Sequence, residues 1–162
     1  MEQSVEIFVD ADACPVKDEV YAAAAQHGLY VTLVANMRMG VPEGGGVELV
    51  VVEQGPDIAD DWIAEHACRD DVVVTADIPL AGRCLEVGAR VVGPNGREFT
   101  QDSIGSALAM RQLHQELRGA NQQTGGPAPL TRKDRARFSS SLDRVIQAAR
   151  NALARNSKPT TP

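Results

Sequence analysis

The segment IFVDADACP, Ile7 to Pro15, decides the fold. An apolar run that begins at Val5 stops at two aspartates, Asp10 and Asp12, with one alanine between them. Pro15 follows, and proline fits the first turn of a helix because it has no N–H to leave unsatisfied there. The segment therefore reads as strand, loop and helix. A strand driven into a pair of like charges also calls for something of opposite sign nearby.

The same unit repeats along the chain. Val16, Val20, Ala23, Ala24 and His27 recur at helical spacing, and Gly28 closes that helix. YVTLVA (Tyr30–Ala35) is a second strand, Asn36–Gly46 a glycine-rich loop, and VELVVV (Val47–Val52) a third strand. GPDIADDWIAEHA places Pro56 at a helix start, with an apolar stripe through Ala59, Trp62 and Ile63. DVVVTAD (Asp71–Asp77) is a fourth strand, again ending in an acid. IPLAGRCLEVG is a short helix closed by Gly88, and ARVVG (Ala89–Gly93) a fifth strand. Helices follow over Ser103–Arg118 and Thr131–Ala154. Thr131 and Asp134 form a capping pair in the second, which has a stripe of Phe138, Leu142, Val145, Ile146, Ala149 and Leu153.

Strands that read as continuous apolar runs and alternate with helices imply a parallel sheet covered on both faces. The expectation is a three-layer α/β/α arrangement with a five-stranded parallel sheet over residues 5–100. A helical extension follows over 101–154, all in one domain, 1–154, and residues 155–162 form a flexible, frayed tail.

The chain has 162 residues and 43% apolar composition, enough for one substantial core. No apolar run reaches the length of about 20 residues that a membrane helix needs. Cys14, Cys68 and Cys84 are odd in number and irregular in spacing, which argues against a disulfide framework or a zinc site. With no basic flank leading into an apolar core, a cytoplasmic protein with reduced thiols is the simplest expectation. Charge is uneven. Residues 1–100 carry 6 Lys/Arg against 18 Asp/Glu, whereas residues 101–162 carry 10 against 4. An acidic body with a basic last third suits two solvated helix faces, or a surface for a phosphate-rich partner such as RNA.

In an open parallel sheet, ligands bind beyond the carboxyl ends of the strands. Asp10 ends the first strand, Asp12 lies just past it, and Asp77 follows the fourth. On the middle helix, Asp57 and Asp60 share a face, and so do Asp57 and Asp61. Asp57 equally suits the helix dipole. Carboxylates this close need a counter-charge, and hard oxygen donors select Mg²⁺ or Mn²⁺. Such sites support attack of metal-activated water on a phosphodiester.

The motifs VDADACP, VAN (Val34–Asn36), GPDIAD, VVVTADIPLA, TGGP (Thr124–Pro127) and KDRARF (Lys133–Phe138) together resemble the YaiI/YqxD family of bacterial proteins, from about Val5 to Ala149. That resemblance implies a PIN-like fold and, by extension, a metal-dependent nuclease acting on RNA. Asp10 and Asp77 would be its catalytic acids, and Asp10, Asp12, Asp57, Asp60 and Asp77 its Mg²⁺ or Mn²⁺ ligands. Of these, Asp12 matches the YaiI/YqxD motif only and not the general PIN pattern. Substrate contacts are expected from Asn36, Thr75, Arg111, Lys133 and Arg135.

Two other readings stay open. A strand followed by D-x-D also resembles the first motif of haloacid-dehalogenase-type phosphatases, with Asp10 as nucleophile, Asp12 as general acid and Thr75 as the phosphate-binding hydroxyl. That reading lacks a later strand ending in paired acids. The third is a non-catalytic RNA-binding or adaptor protein. Aromatic residues make up only 4% of the chain, so RNA contacts would be to phosphates rather than stacked bases.

Overall fold

The structure is a computed structural model and describes residues 4–55, 57–106, 109–110 and 129–157. Pro56, Arg111, Arg118, the Thr124–Pro127 motif and residues 158–162 lie outside the described residues. Strand β1 (Glu6–Asp10) runs into a single 3₁₀ turn, Ala11–Ala13. The order then continues α1 (Lys17–His27), β2 (Tyr30–Ala35), β3 (Val47–Val51), α2 (Ile58–His66), β4 (Val72–Val74), α3 (Ile78–Glu86), β5 (Arg90–Val92), β6 (Glu98–Phe99) and α4 (Arg132–Ser157). Residues 101–106 and 109–110 are helical as well, where the helix from Ser103 was expected.

The six strands form one sheet in the order β3-β2-β1-β4-β5-β6. The first five are parallel, with Val9 opposite Leu33 on one side and Val74 on the other. The expected five-stranded parallel sheet is thus corrected to six strands, because β6 adds an antiparallel edge beside β5. Two residues are too few to show any period. The turn that creates β6 is local: the Gly93 N–H donates to the Arg97 carbonyl at 2.8 Å and the Gly96 N–H to the Gly93 carbonyl at 2.9 Å. The first helix also starts later than Pro15 suggests, because the 3₁₀ turn intervenes.

Each face of the sheet carries its own core. Ile7, Val9, Val31, Leu33, Val72 and Val74 pack under α1 and α4, where Phe138, Leu142 and Ile146 are fully buried. Phe8, Val34, Val73 and Val91 pack under α2 and α3, against Ile63, Leu80 and Cys84. Consecutive strand residues serve opposite cores, so the runs read as unbroken apolar stretches rather than alternating ones. Each large side chain buried this way contributes roughly 1.5–3 kcal/mol.

Helix α4 lies beside α1 and runs in the same direction. Arg135 reaches the Pro15 carbonyl (2.7 Å) and Glu19 (3.3 Å) at one end, and Asp143 meets His27 at 3.1 Å further on. Its start is fixed by the expected capping pair. The Thr131 N–H donates to Asp134 Oδ2 at 2.9 Å, and the Asp134 N–H donates to Thr131 Oγ1 at 3.1 Å. The amino ends of α1, α2, α3 and α4 therefore all sit at the carboxyl edge of the sheet, where β1 and β4 end side by side.

Candidate functional site

Three short hydrogen bonds tie the strand ends together. Thr75, only 2% exposed, donates its hydroxyl proton to Asp10 Oδ2 at 3.0 Å. The same Thr75 oxygen accepts the Asp77 N–H at 3.0 Å. Asp77 is the N-cap of α3, and its Oδ1 accepts the Leu80 N–H at 2.9 Å, with Pro79 in the first turn. One oxygen of Asp10 and one of Asp77 are thus held by the protein, which leaves each with a second oxygen for another partner. Asp12 behaves differently. Both of its oxygens accept the backbone N–H of Asn36, at 3.0 and 2.9 Å, so it stitches the loop after β1 to the end of β2. The side-chain Oδ1 of Asn36 is buried without a hydrogen-bond partner among the described residues.

Asp60 reaches this group from α2. Burial, and then the charges of Asp77, Asp10 and Asp57, push its pKa from 3.8 up to about 6. Burial likewise raises Asp10, opposed by the Thr75 hydrogen bond and reinforced by Asp77 and Asp12. Asp57 is exposed at the N-cap of α2 in the left-handed region, φ 65°, and makes no side-chain cap. Asp61, its neighbour four residues on, is exposed and pairs with Arg83 at 2.6 Å. The expected acids therefore divide: Asp10 and Asp77 are joined through Thr75 and both raise Asp60, Asp12 has its oxygens on the Asn36 N–H while its charge still reaches Asp10, and Asp57 is exposed and acts on Asp60 by charge alone.

Beside Asp10 and Asp77 opens a pocket of about 390 Å³, walled further by Thr75, Cys14, Ile78 and Pro94. Cys14 is 7% exposed and burial pushes its thiol pKa up, so it is a packed wall residue rather than a reactive thiolate. Of the expected substrate contacts, Lys133 is exposed near the start of α4, whereas Arg135 is committed to Pro15 and Glu19 and clamps α4 onto the loop below the pocket. Arg111 lies outside the described residues.

Among the described residues, no three His, Cys, Asp or Glu side chains stand close enough to hold one ion together. The donor chemistry still fits a hard divalent cation. The acids are all carboxylates, and Asp60 is raised first by burial and then by the charges of Asp77, Asp10 and Asp57, which Arg83 only partly offsets. To hold one, Asp10, Asp60 and Asp77 would have to draw closer together than they stand here.

The Asp60 shift gives a signed expectation. A carboxyl raised by folding favours the folded state when protonated, so its contribution is present below pH 3.8 and lost as the pH rises through about 6. In a chelator, Asp60→Asn should change stability little at about pH 4. At about pH 8 it should stabilise by about 1 kcal/mol, solvent screening of a partly exposed group reducing the full shift. Chemical denaturation at the two pH values measures this, and an equal effect at both would mean that Asp60 does not feel the other acids.

The sequence did not disclose the Thr75 bridge. Its only signal is a hydroxyl two residues before the fourth-strand acid. No described helix is long and apolar enough to cross a membrane. Comparison with known proteins gives one family match: residues 8–148 fit the model described as the uncharacterised YaiI/YqxD family. A UPF0178 protein of Parvibaculum lavamentivorans is 55% identical over 145 residues, 90% of this chain and 95% of the relative. One from Azorhizobium caulinodans is 50% identical over 150 residues, 93% of this chain and 94% of the relative. No solved structure matches the chain.

Proposed function

Since the chain belongs to the YaiI/YqxD family, which is described as uncharacterised, its chemistry has to come from the site, and we propose that it is a metal-dependent, PIN-like phosphodiesterase that cuts RNA. The observation that carries this reading is the joining of Asp10 and Asp77 through Thr75 at the carboxyl edge of a parallel sheet, with Asp60 raised by burial and by both of their charges. A bound Mg²⁺ or Mn²⁺ would supply charge neutralisation and an activated water. Thr75 fixes the orientation of Asp10 by donating to one of its oxygens, and the Leu80 N–H does the same for Asp77. Without metal Asp60 is raised to about 6, and a cation bound beside it would hold it ionised. The basic start of α4, Lys133 and Arg137, would attract the phosphate backbone.

The phosphatase alternative is less well served. Its general acid, Asp12, has both oxygens on the Asn36 N–H, and its phosphate-binding hydroxyl, Thr75, is buried with its one proton given to Asp10. Incubation with Mn²⁺ and end-labelled RNA tests the choice. Internal cleavage without a covalent intermediate is expected. Release of inorganic phosphate from phosphomonoesters, lost in Asp10→Asn, would overturn it in favour of the phosphatase. Neither reaction would leave a binding protein.

A further inference from the structure

The acidic body, residues 1–100, has only six cations. Four are accounted for. Arg83 pairs with Asp61, and Arg90 lies 3.9 Å from Asp70. Lys17 donates to the Cys14 carbonyl at 2.9 Å. Arg69 packs its stem against Gly88, at the opposite, amino edge of the sheet. The remaining two are Arg38 and Arg97. Both are exposed, and among the described residues neither enters an ion pair.

Their places in the fold are not scattered. Arg38 follows β2, two residues after the Asn36 N–H that clasps Asp12. Arg97 closes the tight turn after β5, three residues after Pro94 of the pocket wall, with its guanidinium 6.0 Å from the centre of the Phe99 ring. In the strand order β2-β1-β4-β5, the acids stand on the two middle strands and these arginines on the two outer ones. Three strand spacings separate them, about 14 Å. The Arg97 turn also touches α4, because Gly96 abuts the backbone of Arg137. Positive charge therefore continues from Arg97 to Arg137, which Asp134 partly offsets at 4.0 Å, and, one turn back on the same helix face, to Lys133.

We infer that Arg38 and Arg97 are the two flanking phosphate contacts for a single strand of nucleic acid laid along the carboxyl edge, perpendicular to the β-strands, so that its middle phosphodiester passes over Asp10 and Asp77. The inference rests on the phosphodiesterase reading for what happens at the middle, but the flanking contacts are tested without any cleavage. Opposite charge on both sides of an acidic centre solves a problem that such a centre creates. The acids repel a polyanion, and the flanks hold it in register. Exposed Met37 (63%) beside Arg38 offers an apolar contact for a base or sugar without sequence preference.

The test is a salt titration of binding to a fluorescein-labelled single-stranded oligouridylate in EDTA, where no strand is cut, with an oligothymidylate as a second arm. Arg38→Gln and Arg97→Gln should each flatten the slope of log K against log salt by about 0.7, and the double variant by about 1.4. The double variant should bind about tenfold more weakly at low salt, with both strands affected alike because the contacts are to phosphates. Arg144→Gln, which changes the same charge on the exposed side of α4, should do neither. A double variant that binds like Arg144→Gln would overturn the inference while leaving the nuclease reading standing. Wild-type protein that binds normally but never cuts with Mn²⁺ would sink the nuclease reading alone. No binding by the wild type at low salt would overturn the inference too, since contacts from Arg38 and Arg97 to phosphates need no metal.

Discussion

Asp10→Asn is expected to abolish the response of the protein to divalent metal. With Mn²⁺ at about a hundred times its dissociation constant, linkage stabilises a folded protein by about 2.7 kcal/mol. For a chain of this size that is roughly 5–10 °C in melting temperature. Asp10 is the acid through which the arrangement is connected: Thr75 holds one of its oxygens, and its charge contributes to the shift at Asp60. An asparagine there keeps the Thr75 hydrogen bond but removes the charge. The variant should therefore fold, should melt no lower than the wild type in chelator, and should show no rise when Mn²⁺ is added. RNA cleavage should fall to background with it. Scanning calorimetry of both proteins with and without Mn²⁺ decides the matter. If both rise equally, the metal binds elsewhere and the acids at the strand ends have another purpose.

The second large effect is structural and falls on a glycine. Gly96 has φ 86°, and a Cβ added there would lie 2.9 Å from the carbonyl carbon and the Cγ of Arg137. The backbone cannot yield as a side-chain tip can. Gly96→Ala combines a disfavoured conformation with overpacking, each worth about 1–3 kcal/mol, so a loss of about 3 kcal/mol and roughly 10 °C is expected. Gly40→Ala is the control, since nothing lies within 4 Å of its added Cβ. It should leave the melting temperature unchanged or slightly higher. Because the same turn carries Pro94 into the pocket wall, Gly96→Ala should also disturb the site, whereas Gly40→Ala should not. Equal melting temperatures for the two variants would mean that the turn and α4 are not in close contact.

Much of this fold is legible in the sequence because its signals are long or chemically specific. Five apolar runs bounded by glycine and acids gave five parallel strands, and Thr131 with Asp134 marked the start of α4. What escaped has a common physical origin. Strand β6 is two residues long and owes its existence to hydrogen bonds within the Gly93–Arg97 turn, not to any apolar period. The division among the acids escaped for a different reason. Asp12 and Asp10 look equivalent in DAD, but a carboxylate two residues further along can turn back to the neighbouring strand, and only the sheet order says that β2 is that neighbour. Arg135 resembles Lys133 and Arg137 in sequence. Its commitment to Pro15 depends on how α4 docks beside α1, a long-range contact across 120 residues.

That docking bears on how the protein is made. The core under α1 is closed by Phe138, Leu142, Val145, Ile146 and Ala149, all from the last described helix, while the strands they cover are among the first residues synthesised. Translation proceeds at about 5–20 residues per second. For the several seconds before Arg132 and its followers emerge, the nascent chain carries a sheet face whose cover does not yet exist. The face is complete only once α4 has been made, and until then it is exposed apolar surface of the kind that makes partly folded chains prone to aggregate. A chain cut short before α4 should leave Ile7, Val9, Val31 and Leu33 covered by α1 alone, and is expected to be more prone to aggregation and proteolysis. The acids at the sheet edge are encoded early, but only chains translated through α4 can finish the structure that presents them.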